Sequence, residues 1–349
     1  MRRIHHSGSP APERVAAVAG SGIPLRFVLQ PGRTVDEAVA EGMRAAGCVG
    51  GFVTFQGGRC EPFRYVMPAA SADPRYAAWY SETYEPAGPV DVTRACAIVG
   101  IRDGKTFLHC HGLWDTADGP RAGHMLAPFT GVAEPIEVTG IGFTDATFEA
   151  MPDAETNFTL FEPVPTARDG HGTAQSRMLL AKVRPNEDID LAVEEICRRQ
   201  GLAAANVYGI GSLNGVRFAD GRKVDSYATE VLIRSGRVSS IDGRPQSKLV
   251  IDVVDMDGGI HSGELLRGDN PVCVTFELVI EAASASNRRT SSSRVVSMGS
   301  CWVGEGLSEA GSRVLSGHWT SRGRIAKPWA MPFLGTDRLA RWVFGTSRK

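Results

Sequence analysis

The chain has 349 residues, 42% of them hydrophobic, which is enough for two ordinary cores and too long for one small domain. With 38 basic residues against 39 acidic the formal net charge is −1, so the molecule as a whole carries no field that would gather nucleic acid or anionic lipid. Seven scattered cysteines, odd in number and never spaced as CxxC, argue against a disulfide framework and for a reduced cytoplasm, and no apolar run approaches the ~20 residues that cross a bilayer.

The N-terminus, MRRIHHSGSPAPERVAAVAGSGIP, has a charged start and an apolar part broken by Gly, Ser and Pro, so residues 1–24 read as a flexible leader and not as a signal peptide. The next segment, Pro31 to Gly47, has the pattern of an amphipathic helix capped at Thr34, with Val35, Ala38, Val39 and Met43 on one face and a stop at Gly47. It recurs at a constant offset of 154 residues as Pro185 to Gly201, with seven of seventeen positions identical, and there Asp188 is the cap and Ile189, Ala192, Val193 and Ile196 form the apolar face. Each helix runs into a Gly-rich strand exit, Gly50 to Gly58 in the first copy and Ala204 to Ser212 in the second.

Further matches continue at offsets of 139 or 140. Asp103-Gly104-Lys105 answers Asp242-Gly243-Arg244, Gly123-His124-Met125-Leu126 answers Gly263-Glu264-Leu265-Leu266, and Glu137-Val138 answers Glu277-Leu278. The shortened offset places an insertion of about 14 residues in the first copy, within Pro68 to Pro89. β-Branched and aromatic segments such as Thr106 to Leu113, Val132 to Val138 and Val272 to Ile280 read as strands. The reading is an α+β chain of two tandem domains, each a mixed or antiparallel sheet with a helix packed on one face. Domain 1 spans residues 25–165 and domain 2 residues 176–282, joined by the polar linker TARDGHGTAQ over residues 166–175. From residue 283 to 349 the composition turns to a basic tail with 11 basic and 3 acidic residues, a charge of 11 − 3 = +8, which leaves −1 − 8 = −9 for the remainder. The tail also carries Trp302, Trp319, Trp329 and Trp342, and it reads as a partly disordered extension.

Three of the eight histidines fall in one predicted hairpin. In a strand, residues i and i+2 project from one face, so His109 and His111 point together while Cys110 points away. A turn at Asp118-Gly119 brings His124 back beside them. Three converging imidazoles form a first shell for a divalent metal, expected to be Zn²⁺, with positions left for water or substrate. Asp115 and Asp118 are candidate acceptors for the outer imidazole N–H groups, and Asp115 is also a candidate for proton transfer. Arg121 and Arg94 are candidates for pairing with a substrate carboxylate. In the second copy Lys248 and Val250 stand where the two histidines would be and Glu264 stands opposite His124, so one metal site per chain is expected. Because its counterpart Glu277 persists in the copy without histidines, Glu137 reads as structural and not as a general base.

The pattern DGKxxxHxH, a turn with DG, then GHML and a strand ending in EV, resembles the plants-and-prokaryotes-conserved (PPC) domain, as does the second copy's GIGSLNGVRFADGR. The resemblance covers about residues 25–165 and 176–281. It implies compact α+β domains that trimerise, hence a homo-oligomer here, and it implies His109, His111 and His124 as metal ligands. Plant members pair the domain with an AT-hook and bind DNA, but here the nearest matches are Asp242-Gly-Arg-Pro245 and Arg322-Gly-Arg-Ile-Ala-Lys327, the second with Ile in place of Pro. The expected function is a cytoplasmic metal-binding protein, a metal-dependent lyase, isomerase or hydrolase or a binder, acting on a small oxygenated carboxylate or carbonyl compound. The alternative is a DNA-binding protein that uses its basic tail non-specifically. No membrane partner is expected.

Overall fold

A computed structural model describes residues 2–166 and 177–283, with the backbone alone at Arg177. The first half contains β1 (Val15–Leu29), α1 (Val35–Ala45), β2 (Gly50–Phe55), β3 (Val90–Arg102), β4 (Lys105–Thr116), β5 (Gly119–Met125) and β6 (Ile136–Phe143). A hairpin of β7 (Ala146–Pro152) and β8 (Thr159–Pro165) follows. The second half contains β9 (Arg177–Val183), α2 (Ile189–Arg199), β10 (Ala205–Leu213), β11 (Glu230–Ile241), β12 (Arg244–Val254), β13 (Ile260–Glu264) and β14 (Val272–Ala282). The fold is mostly β, with these two helices as its α-elements.

Strand order is the same in the two halves, β1-β6-β2-β3-β4-β5 and β9-β14-β10-β11-β12-β13. The first strands of the halves pair with each other antiparallel, Val15 opposite Val183 and Ser21 opposite Arg177, which makes one continuous sheet. The pairing is antiparallel except for a parallel bridge between Glu149 and Ile101.

Residues 15–24, expected in a flexible leader, therefore lie inside β1. Residues before it are also tied down. The Arg2 guanidinium donates to the Asn214 carbonyl at 2.7 Å, the Ile4 N–H donates to Asn186 Oδ1 at 2.8 Å, and His6 Nε2 lies 2.8 Å from the Cys273 carbonyl. An Ala- and Gly-rich stretch has weak β-propensity of its own, and here the ladders to β9 and β6 override it. Residues 167–175 of the expected linker and 284–349 of the expected tail lie outside the described residues, as does Cys301; the other six cysteines are free and buried.

Each helix covers one face of its own half-sheet. Val35, Ala38, Val39 and Met43 of α1 pack with Phe55, Cys110 and Trp114, and Ile189, Ala192, Val193 and Ile196 of α2 pack with Leu249, Ile251 and Leu278. Asp188 caps α2 by accepting the Leu191 N–H at 3.0 Å, and both helices end at a left-handed glycine, Gly47 (φ 69°) and Gly201 (φ 66°). The opposite faces of the half-sheets meet in a third core containing Phe52, Cys96, Ile98 and Ile141 from the first half and Leu180, Ile210, Leu232 and Val279 from the second. The two apolar sheet faces thus cover one another inside a single chain. No described helix is long and apolar enough to cross a membrane.

One carboxyl in the α2 core has a consequence for stability. Asp190 is buried, accepts a hydrogen bond from Ser247 Oγ at 2.7 Å, and its other oxygen has no partner. Burial, aided by the nearby Asp188 and Glu194 carboxylates, pushes its pKa up to about 7. The folded chain therefore holds a proton that the unfolded chain releases near pH 4, so this group's contribution is full at low pH and is lost as pH rises through about 7. Asp190→Asn should flatten that dependence. Urea unfolding at pH 5 and pH 8 should show the wild type losing roughly 1–3 kcal/mol more than the variant over the interval. Equal losses in the two proteins would contradict the assignment.

Candidate metal centre

The alternation of β4 sets the site. Leu108, Cys110 and Trp114 point into the α1 core, so His109 and His111 project from the other face, toward the second half. Gly119 takes φ 96° in the turn to β5, and the antiparallel register then sets His124 directly opposite His111. The three rings lie with centroids 4.6 Å (109–111), 5.1 Å (109–124) and 5.4 Å (111–124) apart. The hairpin thus brings together the three histidines that the sequence singled out.

The second half supplies what the sequence reading missed. Glu230, at the start of β11, places Oε2 2.5 Å from His111 Nε2. One ligand atom from each of His109, His111, His124 and Glu230 lies within 4.8 Å of all the others. Each ring has its Nδ1 engaged from outside this group. His109 Nδ1 is 2.9 Å from Glu277 Oε2, His111 Nδ1 is 2.9 Å from the Val231 carbonyl, and His124 Nδ1 is 2.9 Å from the Tyr80 hydroxyl. With Nδ1 so occupied, Nε2 is the nitrogen each ring has left for the centre, and His109 Nε2 and His111 Nε2 stand 2.9 Å apart. Such outer partners fix tautomer and ring orientation at imidazole metal sites. A divalent cation fits this donor set of three neutral imidazole nitrogens and a carboxylate oxygen.

Electrostatics point the same way for His124. Burial, together with the neighbouring His109 and His111, holds His124 well below its ordinary pKa, so it is a neutral donor at physiological pH. Burial also acts to lower His111, but the adjacent Glu230 carboxylate outweighs it and raises the group. Tyr80 is pushed well above 10 by burial and by the Glu230 and Glu277 charges, so it remains a phenol.

The sequence match with Glu277 suggested a structural role for Glu137. The two have parted company: Glu137 is exposed and pairs with Arg26, whereas Glu277 is 1% exposed and orients His109. Tyr80 comes from the insertion in the first copy, in a short hairpin of Pro68–Ala69 with Trp79–Tyr80. That an aromatic pair occurs only in the copy bearing the histidines was the one sequence signal for it.

The remaining candidates are elsewhere. Asp115 lies four residues beyond His111, about 13 Å along the strand; it is exposed and accepts from Thr93 Oγ1 at 3.1 Å. Asp118 is an exposed turn residue, and neither aspartate is an outer partner of a histidine. Arg121 donates to the Pro120 carbonyl at 2.9 Å. Arg94 reaches across to the second half, but its Nη1 is bound to the buried Asp252 at 3.0 Å. None of Asp115, Arg121 and Arg94 lines the cleft at the site, because a shared strand or hairpin does not give them a shared place. In the second copy, Val250 pairs with Glu264 as His111 pairs with His124, and Lys248 Nζ lies 2.7 Å from Glu264. An ion pair occupies the region where the first copy has imidazoles.

His109 and His124 open onto a cleft whose walls also include Glu230 and Glu277.

Comparison with known proteins adds a family to this geometry. No curated protein matches the chain. Among solved structures, similar ones include a metal-containing protein from Archaeoglobus fulgidus, 18% identical, covering 46% of this chain and 99% of its own with a TM-score of 0.32. Another is a plant- and prokaryote-conserved (PPC) protein from Pyrococcus horikoshii, 14% identical, covering 43% of this chain and 96% of its own with a TM-score of 0.33. A family model, the Plants and Prokaryotes Conserved (PCC) domain, matches residues 171–284.

Proposed function

We propose that the chain is a tandem protein in which residues 25–165 are a second, diverged copy of the domain matched over 171–284, and that the two build one divalent-metal site for a small oxygenated carboxylate or carbonyl ligand. The observation that carries this reading is the pair of shells: three Nε2 atoms and the Glu230 carboxylate turned to one centre, with each Nδ1 tied to a separate outer partner. The residues that would hold the ion are His109, His111, His124 and Glu230, and Zn²⁺ suits three imidazoles with a carboxylate. When bound, the ion supplies a Lewis acid that polarises a carbonyl or acidifies water.

The chain's own groups do the rest. Glu277 holds the proton on His109 Nδ1 and is itself steadied by Thr275 Oγ1 at 3.1 Å. Tyr80 holds His124 in place and closes one side of the cleft. Glu230 and Glu277, and not Asp115, are the carboxylates placed to move a proton beside a ligand in the cleft. This arrangement favours lyase, isomerase or hydrolase chemistry.

Protein purified without an affinity tag should carry close to one divalent ion per chain by elemental analysis. His124→Ala should lose the ion, and Glu277→Gln should weaken its binding by about 10- to 100-fold through loss of the outer partner. His261→Ala should retain it, because His261 pairs with Asp255 at 2.9 Å away from the cluster. Equal metal content in the His124 and His261 variants would contradict the site.

The +8 charge of residues 283–349 is the single observation favouring a second reading, DNA association. Attraction of that kind is independent of sequence and falls steeply with added salt. A chain ending at residue 282 should lose all duplex binding, and tight, sequence-specific binding retained by that chain would favour the second reading over the first.

A further inference from the structure

The hydroxyl that orients His124 sits on an element with little structure of its own. Tyr80 belongs to the inserted hairpin, where Pro68–Ala69 pair with Trp79–Tyr80, and so short a ladder does not hold itself in place in water. Met67 and Ser81 close its base, the Ser81 N–H donating to the Met67 carbonyl at 2.9 Å. Its tip is held from outside. The Tyr76 ring packs on Phe158, in the turn between β7 and β8, with centroids 4.9 Å apart. The Arg75 carbonyl accepts from Ser7 Oγ at 2.7 Å and from Asn157 Nδ2 at 3.0 Å, and Asn157 Nδ2 also donates to Ser7 Oγ at 2.7 Å.

Ser7 lies in the segment before β1, which crosses the second half on its way to that point. Arg2 donates to the Asn214 and Asp269 carbonyls at 2.7 and 3.0 Å, Ile4 and Asn186 exchange hydrogen bonds at 2.8 and 3.0 Å, and His6 Nε2 lies 2.8 Å from the Cys273 carbonyl. Ile4 also packs against Ala78, Ala228 and Cys273, which stand in the cleft wall. Beyond Ser7, the Gly8 N–H donates to the Glu155 carbonyl at 3.1 Å, and a Cβ at Gly8 would stand 1.8 Å from the Ala154 carbonyl oxygen. Residues 2–8 are therefore anchored on both sides of Ser7, to the second half before it and to the β7–β8 turn after it, and the tip of the inserted hairpin hangs on the anchored point.

Resting on the metal reading above, we propose that residues 2–8 are a strap that sets the inserted hairpin and, through Tyr80, sets how firmly His124 holds the metal. Ser7, Gly8 and Asn157 are its positioning residues. They act at the hairpin tip: once the tip is free, the Tyr80 hydroxyl no longer stays at His124 Nδ1, and an imidazole without its outer partner is a weaker and less well oriented ligand. The strap thus governs exchange of the ion, from a part of the chain that supplies no ligand.

Transfer of Zn²⁺ from the loaded full chain to a coloured chelator tests this. Tyr80→Phe should speed release by about 10-fold or more through loss of the outer partner. Ser7→Ala combined with Asn157→Gly removes all the side-chain bonds to the Arg75 carbonyl, keeps a residue that tolerates the positive φ at 157, and should speed release about three- to tenfold. Gly8→Ala, which must lift the strap off Ala154, should do at least as much, and Ser7→Thr, which keeps the hydroxyl, should restore the wild-type rate. In a Tyr80→Phe background the Ser7 and Asn157 changes should add less than about twofold, because the group they position is already gone. Release unmoved by the Ser7, Gly8 and Asn157 variants, or a full effect persisting in the Tyr80→Phe background, would overturn the strap while leaving the metal site standing. A wild type that takes up no metal would instead overturn the metal reading, and this proposal with it.

Discussion

The contact of imidazoles from one half with carboxylates from the other is the constraint on which the rest of the structure depends. Glu277 and Glu230 are 1% and 8% exposed, and buried carboxylates are costly by several kcal/mol each unless charge and hydrogen bonds answer them. The answering groups are His109 and His111, which lie on the opposite half-sheet. Neither half satisfies this set alone. The polar cluster therefore specifies how the two apolar sheet faces must dock, and the apolar contacts of Cys96, Ile98, Leu232 and Val279 hold the docked state.

The two halves share a strand order and put it to unequal use. The first copy keeps the histidine hairpin and adds an inserted hairpin that brings Trp79 and Tyr80 to the cleft. The second copy places Val250 and Glu264 at the positions of His111 and His124, yet contributes Glu230, Glu277 and the Val231 carbonyl. The halves share strand order, and the division of labour lies in side chains, the added hairpin and one backbone carbonyl. The equivalent region of the second half holds the Lys248–Glu264 pair instead.

How much of this was legible in the sequence depended on distance along the chain. The two helices, their caps and glycine stops, and the parity of His109, Cys110 and His111 follow from local periodicity, and the structure agrees with each. Glu277 and the Val231 carbonyl lie 168 and 120 residues from the histidines they orient, and no local pattern reports a contact made across a docked interface. The repeat gave no hint of Glu277 either, since it matches Glu137 in sequence although only Glu277 is buried. Asp115 and Arg121 looked close because they share the hairpin, but each residue of a strand advances it by about 3.3 Å. The leader misread for a different reason: Val15 to Ser21 pair with a strand that begins at Arg177, far beyond any local window.

The central claim is that both halves contribute ligands to one metal centre. Anomalous diffraction from a crystal of the metal-loaded chain tests it directly. The account predicts a single anomalous peak per chain, bounded by His109, His111, His124 and Glu230. A peak at the buried cysteines, or one at the histidines with Glu230 turned away, would contradict it.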